Sequence, residues 1–353
     1  MCYIHDQRDR SSASTSAGAL DIDYVEVRER HSFDPSIWGA LTSLVRDRRI
    51  DIVHSHDYKT SLLAYLLARR TGIIPLATAH GWTGHSARER FVYYPFDKRL
   101  LARFPRVIAV SSDIKEQLVR RGAQPDRVSV ILNGIDPDAF RRSPGQTPAV
   151  RAALGFAPDE IVIGAVGRLE RQKRFDLLIE AVARLAPAHP RLRLAIVGDG
   201  TLRQDLEDLS RRLGLTAAIR FLGQRLDIAH LHHAFDLFVQ SSEYEGTPNA
   251  VLEAMAMETP IVATDVGGTR ELAWPDRHAI IVPPLDVPAL SAGMERALGD
   301  PRGMAAFAAA ARQRIETDLS FIARTRRLEG IYGELIGERR GIAALHPAGV
   351  SPA

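Results

Sequence analysis

The clearest chemistry in the chain sits on two carboxylates and two cations carried by two short segments. In residues 241–271, SSEYEGTPNAVLEAMAMETPIVATDVGGTRE, Glu245 and Glu253 are separated by seven intervening residues. An apolar run ends near Ser242, and Thr247 followed by Pro248 has the form of a helix N-cap and first helical position. Glu245 is then expected just outside the helix mouth, and Glu253 about one and a half turns inside. In residues 160–180, EIVIGAVGRLERQKRFDLLIE, Arg168 directly follows an apolar run and Lys173 precedes an amphipathic stretch. Gly167 lets the backbone approach closely there. Two carboxylates would repel a ligand that was phosphate alone. A carboxylate does accept paired hydrogen bonds from a vicinal diol, while an Arg fork, a Lys charge and helix-start N–H groups neutralise a diphosphate without a metal. A nucleotide sugar carries both kinds of group. Either segment alone is ambiguous, because Glu253 also reads as a salt-bridged helix residue and the Arg168/Lys173 pair as a surface charge cluster.

Something must bring those segments together, and the hydrophobic pattern says what. Short Val- and Ile-rich runs at 50–54, 73–79, 106–111, 128–132, 160–166, 192–197, 219–222, 237–241, 260–265 and 279–282 each precede a stretch of helical length. Near-continuous apolar strands alternating with helices are the pattern of parallel sheets covered on both faces, so the fold class is α/β. The helical reading can be checked: Phe175, Leu178, Ile179 and Val182 fall at i, i+3, i+4 and i+7. In such sheets the carboxyl ends of the strands face the ligand crevice. Residues 140–148, FRRSPGQTP, lack any apolar period and read as a linker. Two doubly wound, Rossmann-like domains facing a cleft are therefore expected. These are an acceptor-side domain over 1–146 and a nucleotide-sugar domain over 147–322. A helix over 323–345 would return to the first domain, and 346–353 would form a disordered tail.

The pair VGRLERQKRFDLLIEA and EGTPNAVLEAMAMETPIVATDVGG resembles the retaining, nucleotide-sugar-dependent glycosyltransferases of the GT-B fold, specifically glycosyltransferase family 4, or group 1, whose hallmark is Glu-x7-Glu. The likeness runs from about residue 50 to 289. It implies that Arg168 and Lys173 hold the donor diphosphate, that Glu245 meets the donor sugar, and that Glu253 meets the ribose. Backbone around Gly246, Thr247, Pro248 and Asn249 would contact sugar hydroxyls and phosphate. In the first half, DIVHSHDYKTSLLA, ATAHGWTGH, RVIAVSSDIKEQL and VILNGIDPDAF resemble the family's cleft segments. His80 then stands where members place a histidine beside the reacting sugar, so His80 and Glu245 are the catalytic candidates. His54, His56, Asn133 and Gly198 are expected to line the cleft. The resemblance further implies transfer of a hexose to a hydroxyl of a glycan or lipid-linked acceptor in polysaccharide or glycolipid synthesis. The nucleotide sugar is a co-substrate, and neither cofactor nor metal is required. Members usually begin with a strand and a glycine-rich loop ahead of anything like MCYIHD, so the first domain reads as truncated and a non-catalytic donor-binding partner stands as the alternative.

Other features narrow the field. The 353 residues hold one cysteine, Cys2, which excludes an internal disulfide and cysteine-based metal sites. No apolar stretch is long enough to span a membrane, and charges stand where a signal peptide needs its apolar core. The chain reads as cytoplasmic. Residues 1–143 carry a net charge of +5 and the remainder −2. That basic half suits an anionic substrate or the inner face of the plasma membrane, yet lacks the dense stripe of a nucleic-acid binder. Residues 88–106, RERFVYYPFDKRLLARFPR, interleave basic and aromatic side chains and could lie on an anionic membrane; the favoured reading is a globular helix whose apolar side packs on the sheet. His54 and His56 share one strand face, but no third ligand stands at metal spacing. Asp21-Ile-Asp23 and Asp136-Pro-Asp138 are taken as turn or strand-edge residues, and Gly198-Asp199-Gly200 lacks the third glycine of a dinucleotide fingerprint.

Overall fold

A computed structural model describes residues 2–6, 23–30, 34–82, 89–143 and 145–345. The expected loop over 8–19, Asp21 and the tail over 346–353 lie outside the described residues. The described residues form twelve strands: β1 (Cys2–Asp6), β2 (Val25–Glu29), β3 (Ile52–Ser55), β4 (Ile74–Ala79), β5 (Arg106–Ala109), β6 (Val128–Val130), β7 (Ile161–Val166), β8 (Leu192–Val197), β9 (Ile219–Phe221), β10 (Leu237–Gln240), β11 (Ile261–Thr264) and β12 (Ile280–Val282). Every pairing between them is parallel. The first half holds a four-stranded sheet in the order β3-β4-β5-β6 beside the β1-β2 pair; the second holds a six-stranded sheet in the order β12-β11-β10-β7-β8-β9. Strands β3 to β12 occupy the apolar runs read from the sequence. This is the two-domain, Rossmann-like GT-B architecture.

In the second sheet the chain runs outward from β7 through β8 to β9, then returns to lay β10 on the opposite side of β7. The strand order therefore reverses between β7 and β10. At such a point the two following loops diverge and leave a crevice beyond the carboxyl ends. Arg168 follows β7, and Glu245 follows β10. The helix Phe175–Leu185 buries Phe175, Leu178, Ile179 and Val182 against this sheet, as its spacing requires.

Two stretches cross between the halves and are bonded to each other. Ile135 N–H donates to Leu319 O at 2.9 Å, and Phe321 N–H to Ile135 O at 3.0 Å. A Cβ on Gly134 would lie 3.0 Å from Ser320 O, so the two segments cross in close contact. The Gly- and Pro-rich stretch that follows is pinned to the second half by Arg142, which donates to Met257 O at 2.8 Å and His232 O at 2.9 Å. The helix Phe321–Leu345 then packs Ile331 and Leu335 with Leu76, Ile108 and Ile131 of the first half.

Within 88–106 a π-helical turn, Glu89–Tyr93, leads into the helix Tyr94–Leu101. Leu100, Leu101 and Phe104 are buried on the sheet, whereas Phe91, Val92 and Phe96 are exposed. Among the described residues no helix is long and apolar enough to cross a membrane.

Candidate functional site

The turns after β7 and β8 stack through glycine. Gly167 N–H donates to Val197 O at 2.9 Å, and Gly198 holds φ at +134°. A Cβ on Gly198 would fall 1.9 Å from Gly167 O, so no other residue fits there. Arg168, next in the chain, is exposed, and its side chain forms no hydrogen bond or ion pair with a described residue. After the short turn Arg171–Lys173, Arg174 takes a left-handed conformation at φ 49° and opens the helix Phe175–Leu185.

That turn is zipped to the loop after β10. Glu243 N–H donates to Gln172 O at 2.8 Å, Ser241 Oγ to Lys173 O at 2.8 Å, and Gln172 Nε2 to Tyr244 O at 2.9 Å. Lys173 Nζ thereby reaches Glu245 Oε1 at 2.6 Å, and Ser242 Oγ donates to the same oxygen at 2.7 Å. The Glu245 side chain is only 8% exposed, so the carboxylate is held in one place by partners rather than by water. The side chain of Glu253, on the helix Asn249–Ala256, makes no hydrogen bond or ion pair with a described residue. Burial pushes its carboxyl up to about 7, against the opposing pull of Lys173. The structure thus brings Lys173, Glu245 and Glu253 together around the reversal point, with Arg168 free at its edge.

The helix start differs from the sequence reading. The helix begins at Asn249, Pro248 is the N-cap and makes no side-chain cap bond, and Thr247 stands outside. The Thr247 hydroxyl instead donates to Val110 O in the first half. A tertiary acceptor has taken the hydroxyl that a cap would have used.

In the first half, β3 and β4 deliver three histidines. His54 and His56 stack with ring centroids 4.6 Å apart, and His56 Nδ1 lies 3.2 Å from His80 Nε2. His54 is half-buried. Its Nε2 is 2.7 Å from Thr78 Oγ1 and its Nδ1 2.7 Å from Tyr332 Oη, so both nitrogens are engaged inside the protein. Burial, reinforced by the His56 and Arg324 charges, pushes His54 down to about 3 and His80 to about 4. His56 is lowered as well, first by burial and then by Arg324. All three imidazoles are uncharged at neutral pH, His80 included although its outer side meets solvent at the rim.

The halves meet at this point. A Cβ on Gly246 would lie 2.6 Å from His80 O, so the loop carrying Glu245 touches the backbone of His80 directly. Gly267 and Gly268 back that loop, with Gly268 N–H donating to Gly246 O at 2.7 Å. Glu271 reaches across to accept from Ser112 N at 2.7 Å and Ser112 Oγ at 2.8 Å, closing the start of the helix Ser112–Val119. Asn133 Nδ2 donates to Asn249 Oδ1 at 3.0 Å. Sequence reasoning missed Gln172, Glu271 and Tyr332, each of which acts through a partner remote in the chain, and Ser242, whose partner Glu245 is three residues on. Only the Gly267-Gly268 pair left a local trace.

The family model for glycosyl transferases group 1 matches residues 146–314, and that for glycosyltransferase family 4 matches residues 8–139. The Bacillus subtilis protein EpsD, named as a glycosyltransferase, is 31% identical over 75% of this chain and 74% of its own length. A D-inositol 3-phosphate glycosyltransferase of Stackebrandtia nassauensis is 33% identical over 62% of this chain and 53% of its own. Among solved structures, Anabaena HepE in complex with UDP superposes with a TM-score of 0.83 over 94% of this chain and 92% of that one, at 20% identity. That likeness is one of fold.

Proposed function

The chain belongs to the group 1 glycosyltransferases and is a transferase enzyme, and on that premise we propose that it moves a hexose from a nucleotide-diphosphate sugar to a hydroxyl of a glycan or lipid-linked acceptor, with retention at the anomeric carbon. The observation that carries this reading is the Lys173–Glu245 pair beside Arg168, whose side chain is unpaired among the described residues, where the strand order reverses. Arg168 and Lys173 hold the diphosphate and stabilise charge on it as it leaves. Glu253, whose side chain has no partner among the described residues, accepts from the ribose diol. Glu245, fixed by Lys173 and Ser242, accepts from hydroxyls of the transferred sugar. The acceptor oxygen attacks the anomeric carbon on the face the diphosphate leaves. The electron pair of the broken bond goes to the phosphate oxygen, which takes the acceptor's proton. An uncharged His80 is suited to accept or donate a hydrogen bond beside the sugar without repelling an oxocarbenium-like centre. The complexes of HepE with UDP and with UDP-glucose support a uridine donor by analogy of fold. The exposed Phe91, Val92 and Phe96 beside basic residues support peripheral contact with an anionic membrane face, where a lipid-linked acceptor would be found.

The test is calorimetric titration of UDP, GDP and ADP in the presence of EDTA, followed by transfer assays with the corresponding sugars. The reading requires one nucleoside diphosphate to bind without divalent metal, and its sugar to be turned over. Binding that appears only on adding metal would sink it.

A further inference from the structure

A cluster of cations stands at the far end of the first sheet from the histidines. Asp51 and Ile73 lead into the amino ends of β3 and β4, whereas His56 and His80 follow their carboxyl ends. At about 3.3 Å per residue, the run from Ile73 to His80 sets the two ends about 20 Å apart. The helices Ile37–Asp47 and Tyr58–Thr71 both finish at the far end, and a cavity of about 330 Å³ lies there. Arg46, Arg49, Arg70 and Arg339 line it, all four exposed, while Val45 and Ile73 are buried and give it an apolar floor. Arginines in the last turn of a helix often serve its last carbonyls. Here those carbonyls are already taken. Leu44 O accepts from Arg48 N–H at 3.1 Å, Val45 O from Ile50 N–H at 3.0 Å and Arg46 O from Arg49 N–H at 3.2 Å. On the other helix, Ala68 O accepts from Gly72 N–H at 2.9 Å and Leu67 O from the Thr71 hydroxyl at 2.8 Å. The side chains of Arg46, Arg49 and Arg70 make no hydrogen bond or ion pair with a described residue. Arg339 meets Asp51 at 3.6 Å, a long pairing between exposed partners. Arg49 also holds a left-handed backbone, φ 50°, which a residue with a Cβ disfavours.

We propose that this cavity binds the phosphoryl group of an organic phosphate, as an anion site separate from the cleft and from the donor diphosphate. Four guanidinium groups around one hollow repel one another, and an anion among them turns that repulsion into attraction. Each guanidinium offers a planar fork of N–H donors that matches a pair of phosphoryl oxygens. The hollow has the size of pockets that take small organic ligands, and its apolar floor suits the carbon skeleton of a phosphate ester. Arg339 lies seven residues after Tyr332 on the helix Phe321–Leu345, so the two share a face, and Tyr332 Oη is 2.7 Å from His54 Nδ1. A phosphoryl group gripped by Arg46, Arg70 and Arg339 therefore ties that returning helix to the first half at a second point. The inference does not depend on the donor assignment above.

The experiment uses the whole chain without nucleotide, at one pH and low salt. Calorimetric titration with glucose 6-phosphate and glycerol 3-phosphate, with glucose as the neutral control, runs beside sedimentation with phosphatidylcholine vesicles that contain or lack phosphatidic acid. A phosphate ester, or the vesicles with phosphatidic acid, should bind, and glucose and plain phosphatidylcholine should not. Arg46→Ala combined with Arg70→Ala should weaken that binding at least tenfold, and Arg339→Ala should weaken it severalfold. Arg168→Ala should leave it within twofold, which separates this site from the donor site. The side chains removed in the paired variant have no partner among the described residues, so its melting temperature without ligand should stay within about 2 °C of the native value. Binding of an ester assigns the site to soluble phosphates, and binding of the vesicles alone assigns it to a phospholipid headgroup; either upholds phosphoryl recognition. Failure of every probe to bind, equal binding of glucose, or binding that the paired variant retains or that Arg168→Ala abolishes overturns the site. None of those results bears on nucleoside diphosphate binding by the second half.

Discussion

The ammonium of Lys173 stands 2.6 Å from a carboxylate oxygen of Glu245, although the two residues belong to loops after different strands. The loops are neighbours because β10 is laid against β7 on the side opposite β8, which reverses the strand order at that point. A cation and an anion so placed hold each other in position before any ligand arrives, and preorganisation of this kind is what an electrostatic catalyst requires. The side chain of Arg168 stands a few residues earlier with no partner among the described residues, and the contrast separates stability from function.

Lys173→Met should therefore destabilise the protein by about 1–3 kcal/mol, because it leaves the nearly buried Glu245 with only its neutral partners. Arg168→Ala should change stability by less than about 0.5 kcal/mol. Both should lower donor turnover at least tenfold. Urea unfolding and steady-state kinetics on the two variants check this. An Arg168→Ala protein with full turnover would remove that residue from the donor site.

Glu253 supplies a pH test. Burial raises its carboxyl from 4.5 to about 7. Between those values the folded chain keeps a proton that the unfolded chain has released, so stability falls as the pH rises from 4.5 to 7. The change amounts to up to about 3 kcal/mol. Glu253→Gln should flatten that slope in melting curves taken at pH 5, 6, 7 and 8. A ribose diol that donates to the ionised form favours it, so nucleoside diphosphate should bind the native chain more tightly at pH 8 than at pH 6. Glu253→Gln should erase the difference. An unaltered slope in both measurements would show that Glu253 is solvated.

How much of this was legible follows from where each signal resides. The central strands β4, β5, β7, β8, β10 and β11 are largely buried, so their apolar runs are written locally in the chain. Strand β2 escaped notice because Val25 and Val27 alternate with Glu26, Arg28 and Glu29, a charged pattern in which Val27 and Glu29 turn inward. Glu245, Glu253, Arg168 and Lys173 could be read because their spacing belongs to single loops and helices. Thr247 was misread because its acceptor, Val110 O, lies 137 positions away, and no local rule of capping contains that competitor. The Tyr332–His54 bond is likewise a property of packing between remote segments.

His54 titrates in the opposite sense to Glu253. Burial lowers it from 6.5 to about 3, so below pH 6.5 the unfolded chain takes up a proton that the folded chain refuses. Stability is then lost as the pH falls, by about 2 kcal/mol between pH 6.5 and 5. His54→Gln, which can still bond Thr78 and Tyr332, should reduce this acid sensitivity. Tyr332→Phe should cost about 1 kcal/mol at every pH, since it removes a partner without adding a charge. Chemical denaturation at pH 5 and 7.5 distinguishes the two outcomes, and equal losses for His54→Gln at both values would contradict the assignment.

The seam between the halves yields the last test. The carboxylate of Glu271 accepts both the backbone N–H and the hydroxyl of Ser112, at the positive end of the helix Ser112–Val119. It acts as a helix cap supplied from the other half of the chain. Loss of a cap costs about 0.5–2 kcal/mol, and here the same loss also loosens the contact that sets Gly246 against His80 O. Glu271→Ala should therefore reduce turnover several-fold while nucleoside diphosphate affinity, which the proposed donor site assigns to the second half, stays within twofold. Gly246→Ala attacks the contact from the other side: its Cβ would fall 2.6 Å from His80 O, and backbone on both sides must yield. It should lower turnover more than Glu271→Ala does, because it displaces the loop that carries Glu245 as well as the seam. Calorimetric titration with UDP and initial rates on both variants separate the effects. Equal loss of binding and turnover in Glu271→Ala would mean that the seam supports folding of the donor site rather than the alignment of the two halves.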